Sequence, residues 1–156
     1  MIPRAVIAAL FIFNTASAVP QVDWLFPIGT QRGSEALAQI GGKFVWPLKT
    51  WADDSGIVIA PVVKKKGFFK ITVAKDVQPG SHLVRFYDAN GTAPPRVFFV
   101  GKAPDTPEKE PNNEMNEPQP LGGLPTVVHG KLQSGGDVDN YRVNLKAGQM
   151  LVAELN

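Results

Sequence analysis

The residues best placed to do chemistry lie in two oxygen-rich runs, Glu108-Lys109-Glu110-Pro111-Asn112-Asn113 and, beginning 23 residues beyond Asn113, Gly136-Asp137-Val138-Asp139. Glu108, Glu110, Asn112 and Asn113 offer hard oxygen donors, and the chain has no cysteine, so a metal held there would be a hard cation such as calcium. Pro111 disfavours the helical region for Glu110 and turns the backbone extended. In an extended segment alternate side chains share a face, which aligns Glu108, Glu110 and Asn112 as a row. Carboxylates from Glu108, Glu110 and Asp137 with the amide oxygens of Asn112 and Asn113 make five side-chain donors. Backbone carbonyls or water would complete the roughly six to eight oxygens that calcium takes. The bland reading of the same residues is a solvated acidic linker.

No comparable set of residues points to catalysis, and the chain is not expected to be an enzyme. The sequence contains neither a Gly-x-Ser-x-Gly elbow nor a His-Glu-x-x-His pair, the arrangements that activate a serine or hold zinc. Asp53-Asp54 before Ser55-Gly56 has the composition of a turn. His82 follows a Pro-Gly turn and His129 precedes Gly130. Each stands alone in a strand-like run, where a structural histidine is the ordinary reading. Trp24, Trp46 and Trp51 with Phe26 and Phe44 could line a sugar-binding surface, but in a sandwich of about 80 residues such aromatics more often fill the core.

These residues must be positioned by short strands. Among 156 residues, 14 prolines and 15 glycines break the chain into pieces in which β-branched and aromatic residues gather, the pattern of an all-β protein. Residues 68–74, 81–87 and 96–100 are the clearest strands, divided by the turns Gln78-Pro79-Gly80 and Asp88-Ala89-Asn90-Gly91. Asn90-Gly91-Thr92 also fits a glycosylation acceptor, though the turn explains it. Residues 34–40 have the composition and cap of a short helix, yet seven residues make a marginal helix, and a strand is expected. Lys64-Lys65-Lys66 before Gly67 reads as a solvated hairpin turn.

The N-terminus has a basic start through Arg4, an unbroken apolar run from Ala5 to Phe13 and the small-x-small sequence Ala16-Ser17-Ala18. This is the plan of a signal peptide cleaved after Ala18. Its apolar core is far short of the roughly 20 residues a spanning helix needs, so no membrane span is expected after cleavage. A secreted, periplasmic or cell-surface location follows. Cleavage leaves 15 of the 16 basic residues against 14 acidic ones, a balance that argues against nucleic acid or an acidic membrane as the main partner. The expected organisation is a leader (1–18), a sandwich (19–101), a Pro/Glu/Asn-rich linker with the acidic motif (102–123) and an incomplete β domain (124–156). In the last, residues 126–132, 140–145 and 149–155 read as strands, with Ala147-Gly148 turning between the final two.

Glu110-Pro111-Asn112-Asn113, Val128-His129-Gly130-Lys131-Leu132, Gly136-Asp137-Val138-Asp139-Asn140-Tyr141-Arg142-Val143 and Lys146-Ala147-Gly148-Gln149 occur in the order and spacing of the bacterial pre-peptidase C-terminal domain. Residues 108–156 resemble roughly the first half of that domain. The segment between Phe26-Pro27-Ile28-Gly29 and Pro95-Arg96-Val97-Phe98-Phe99-Val100-Gly101 is similar to the immunoglobulin-like domains that precede it in large exported proteins. The resemblance implies an immunoglobulin-like sandwich followed by a partial jelly-roll-like β-sandwich, usually without catalytic residues of its own. In calcium-binding relatives an acidic segment and a later loop aspartate hold the ion. Glu108, Glu110, Asn112 and Asn113 match the segment, Asp137 best matches the loop ligand and Asp139 is a weaker candidate. Asn113 stands where those relatives have an aspartate, which lowers the negative charge. The expected function is a module for adhesion, spacing or assembly. Its partners would be other domains of a longer chain, or an extracellular protein or polysaccharide. The alternatives are an accessory segment of a secreted hydrolase and a carbohydrate- or matrix-binding module.

Overall fold

The computed structural model describes residues 18–155, so the expected leader lies outside the described residues up to Ala18, which is exposed. Two sheets pack face to face between residues 21 and 101. The first has the order β1 (Gln21–Phe26), β3 (Glu35–Lys43), β6 (Phe68–Val73), β5 (Ile57–Pro61), with antiparallel neighbours throughout. The second runs β2 (Gly29–Gln31), β9 (Arg96–Gly101), β7 (Gly80–Asp88), β4 (Lys49–Ala52), with β8 (Gly91–Thr92) folded back on β7. Strand β2 lies parallel to β9, and the other pairs are antiparallel. A four-strand sheet facing a sheet that joins the third, sixth and seventh principal strands is the immunoglobulin-like arrangement.

Alternation within each strand builds the core. Phe69, Ile71 and Val73 of β6 point inward, as do Val84 and Phe86 of β7 and Phe98 and Val100 of β9. Phe69 is central: its ring meets Trp46 edge-on at 5.1 Å and lies 5.1 Å from Phe86. Residues 35–40 of the run 34–40 fall within β3, where Ala38 and Ile40 are buried while Leu37 faces out. Pairing with β1 on one side and β6 on the other overrides the helical composition, as tertiary context commonly does.

The tryptophans divide. Trp46 and Phe44 pack on the core as expected. Trp24 and Trp51 remain exposed, and Phe26 is half-buried. In β1 a register shift between Val22 and Trp24 puts Val22 and Leu25 inside. On β4, Trp51 opposes Arg85 on the outer face.

Past Gly101 the character changes. Strand β10 (Asp105–Pro107) pairs in parallel with β12 (Val127–His129), and β11 (Gln119–Pro120) with β13 (Tyr141–Arg142). The segment expected as a free linker, 102–123, therefore supplies one strand to each ladder. Of the three strands expected beyond it, β12 forms and β13 keeps two residues. Residues 149–155 form none, although the turn at Ala147-Gly148 is present, closed by the Gln149 N–H to Lys146 O bond at 3.0 Å. Among the described residues every buried apolar side chain lies between Val22 and Val100. Without an apolar face to cover, strand patterning in 143–155 has nothing to pair against.

Candidate metal centre

Three segments of the second unit converge. Residues after β10 bring Glu108 and Glu110, the turn after β12 brings Gly130 and Lys131, and the loop before β13 brings Asp139. One carboxylate oxygen each from Glu108, Glu110 and Asp139 lies within 4.8 Å of the others. Glu108 is fixed at both oxygens, accepting from the Tyr141 hydroxyl at 2.9 Å and from the Lys131 N–H at 2.8 Å. Glu110 accepts from the Asn112 N–H at 3.0 Å. Gly130 runs directly beneath: a Cβ there would lie 3.0 Å from the Tyr141 hydroxyl and 3.1 Å from both Asp139 Oδ2 and Glu108 Oε1. A side chain at 130 would have to push these side-chain tips aside by a few tenths of an ångström.

The expected ligands separate into two groups. Asp139, the weaker candidate by sequence, joins Glu108 and Glu110. Asp137 closes its own loop, accepting from the Gln133 N–H at 2.5 Å. It also takes 2.7 Å from the Asn113 amide nitrogen, in the amide orientation that satisfies both neighbours. Asp137, Asn113 and Glu110 border a small hollow of about 340 Å³ with Pro111, Gln133 and Ser134. Asn112 does not stand in an exposed row with the glutamates. It is 0% exposed, and its carbonyl accepts from the Asn140 N–H at 3.0 Å and the Asn140 side chain at 3.1 Å. Neither atom of its side-chain amide has a partner, nor does Asp139 Oδ1. Gly130, Lys131 and Tyr141 were not expected as parts of a site. By sequence Tyr141 was placed only within the strand expected at 140–145, and only the fold shows that its hydroxyl ends on a carboxylate.

The electrostatics show concentrated negative charge. Burial, then the hydrogen bond to Glu108 and the charges of Glu108, Asp137 and Glu110, push the Asp139 carboxyl up to about 6. The Tyr141 phenol is pushed well above its usual range by burial and by the same Glu108 and Asp139 charges. No salt bridge relieves the cluster among the described residues. Lys131 turns its ammonium instead to the Trp24 ring, 5.0 Å from the centroid. Oxygen-only donors, uncompensated charge and unpaired buried amide and carboxyl atoms fit a hard divalent cation.

Both histidines are engaged structurally. His82 bonds Asp53 at 3.0 Å and the Gln78 carbonyl at 2.8 Å, while Asp53 also accepts from the Leu83 N–H at 2.8 Å. His129 meets Asp105 at 3.0 Å. The other Asp105 oxygen accepts from the Thr30 hydroxyl at 2.7 Å and the Gln31 N–H at 2.9 Å. One carboxylate thus joins the sandwich to the second unit. A cavity of about 710 Å³ lies along this joint, with Phe26, Leu37, Asp105, Glu108 and Lys131 in its walls.

No family model matches the chain, and no curated protein matches it. Among solved structures it is similar to a chimeric titin Z1Z2 functionalised with an exogenous KLER peptide from decorin, at 17% identity and a TM-score of 0.34. The likeness covers 56% of this chain and 50% of that one, so the chain spans about half the length of that relative. At this score the likeness adds nothing to the strand order, which by itself identifies the sandwich as immunoglobulin-like.

Proposed function

We propose that this chain is a non-catalytic, exported or cell-surface β-sandwich protein serving adhesion, spacing or assembly, and that calcium bound by Glu108, Glu110 and Asp139 stiffens its second unit. The observation that carries the metal reading is the meeting within 4.8 Å of two carboxylates from the segment after β10 and one from the loop before β13, beside a glycine that leaves them room. When bound, calcium supplies a double positive charge that offsets the mutual repulsion of the carboxylates. The residues do the rest. Tyr141 and the Lys131 N–H orient Glu108, and the Asn112 backbone holds Glu110. A unit with no buried apolar side chain gains folding free energy from such a tie, because binding to the native state alone adds to its stability.

Calorimetric titration of the full chain with calcium, paired with thermal melts, tests this. Heat of binding and a rising melting temperature are expected, with about 2.7 kcal/mol of added stability at a hundredfold excess over Kd. Glu108→Gln and Asp139→Asn abolish both signals, whereas Asp137→Asn, outside the trio, leaves them in place. An absence of heat together with an unmoved melting curve rejects the metal.

A second reading has one observation in its favour. Trp51 is 48% exposed on the outer sheet face opposite Arg85, an arrangement suited to stacking on a glycan. That use requires retention on immobilised polysaccharide that Trp51→Ala removes. A spacer shows no retention with either protein.

A further inference from the structure

The sandwich has two ends of different character. At one, the chain leaves through Gly101, whose carbonyl accepts the Arg32 N–H, and Gly33 bonds Val73. The opposite ends of the strands carry the β3–β4 loop (44–48) and the β5–β6 turn (62–67). The two loops are fastened together by Trp46 Nε1, which donates to the Val63 carbonyl at 3.0 Å, and the β5–β6 turn is tied to β3 by the Ile40 N–H, which donates to the Gly67 carbonyl at 2.8 Å. Phe44, Trp46 and Phe68 form a half-buried aromatic floor. Lys65 lies 3.6 Å over the Phe68 ring and Lys66 5.5 Å over Phe44. Val63, directly before Lys64, and Val45, directly before Trp46, stand 69% and 68% exposed.

Charge is one-sided here. No carboxylate occurs from residue 36 to 52 or from 56 to 69, stretches that contain Lys43, Lys49, Lys64, Lys65 and Lys66, whereas Lys70, further along β6, pairs with Glu35 at 2.8 Å. The neighbouring strand ends add Asp23 and Asp88. Asp23 takes the Gln21 amide at 2.7 Å, and Asp88 takes the Asn90 N–H at 2.7 Å.

We propose that this tip docks on an anionic phospholipid surface. Lysine heads flanking short apolar apices match the headgroup boundary, where cations meet phosphate and apolar side chains enter the acyl edge. A soluble polyanion would satisfy the lysines but give the two valines no apolar medium, so the lipid surface fits both features. The tip lies at the end of the sandwich away from the acidic cluster and stands independently of the metal reading.

Co-sedimentation of the full chain with vesicles of equal parts phosphatidylglycerol and phosphatidylcholine, against pure phosphatidylcholine, tests the proposal. Binding to the mixed vesicles alone is expected, weakening with salt. Each lysine near such a surface strengthens binding roughly fivefold, so K64Q/K65Q/K66Q lowers affinity about a hundredfold, and V45S/V63S lowers it roughly tenfold. With Trp24→Phe and Trp51→Phe in place, Trp46 is the remaining tryptophan, and brominated lipid quenches its fluorescence with the tip sequence intact. This arm keeps the test decisive if a tip variant misfolds. No binding overturns the proposal. So does binding untouched by the lysine changes, which would trace it to the apolar run at residues 5–13. Equal capture by dextran sulfate, with no valine dependence and no quenching, overturns it in favour of a soluble polyanion.

Discussion

Glu108 sets the geometry of the acidic cluster because each of its oxygens has a donor, Tyr141 on one and the Lys131 N–H on the other. Tyr141→Phe removes one of these and is expected to weaken calcium binding several-fold, read by titration against the unchanged chain. Asp105 performs a comparable task at the joint. Burial raises its carboxyl, but the bonds from His129, Thr30 and Gln31 outweigh it and hold it below the usual value of 3.8. A carboxyl lowered in the folded state contributes stability above its unfolded value, and that contribution disappears as pH falls through the folded one. Wild type is therefore expected to lose melting temperature below about pH 4 more steeply than Asp105→Asn. Asp105→Ala, leaving Thr30 and Gln31 without their acceptor, costs about 2 kcal/mol at neutral pH. Glu108 and Glu110 were legible from residue type and spacing alone. The choice of Asp139 over Asp137 was not, since the two sit two residues apart in one loop. The side chain that faces the glutamates depends on Asp137 being taken up by Gln133 and Asn113.

Among the elements, β6 carries the core and the β5–β6 turn fixes its start. Phe69 is fully buried between Trp46 and Phe86, and Phe69→Ala is expected to cost about 3–5 kcal/mol in urea unfolding. Gly67 has φ of +80°, and a Cβ there would stand 3.0 Å from the Ile40 carbonyl oxygen. Gly67→Ala is expected to cost more than about 1 kcal/mol by the same measurement. The strands at 68–74, 81–87 and 96–100 and their turns could be read directly, because alternation and turn residues are local signals. Strand β3 was legible only with its context, since its composition favours a helix and its two partners decide otherwise. Trp24 and Trp51 show the same limit: composition marks an aromatic as bulky, while the register of its strand selects the face it occupies.

For the molecule as a whole, the distribution of burial separates a well-packed sandwich from a second unit held by hydrogen bonds. Hydrogen exchange should accordingly protect β6, β7 and β9 to the global unfolding limit, while amides of residues 144–155 exchange near the free-chain rate. Protection of that segment comparable to β6 would contradict the arrangement. The sequence by itself determined that the chain is all-β, where its principal turns fall and which oxygen donors are available, because each depends on residue type and short-range periodicity. Tertiary structure decided the rest. It brought Asp139 to Glu108 and Glu110, turned a presumed linker into strand partners, and assembled Val45, Val63 and three lysines at one tip. These are contacts between residues far apart in sequence, and their geometry follows from how strands pair and pack rather than from any local preference.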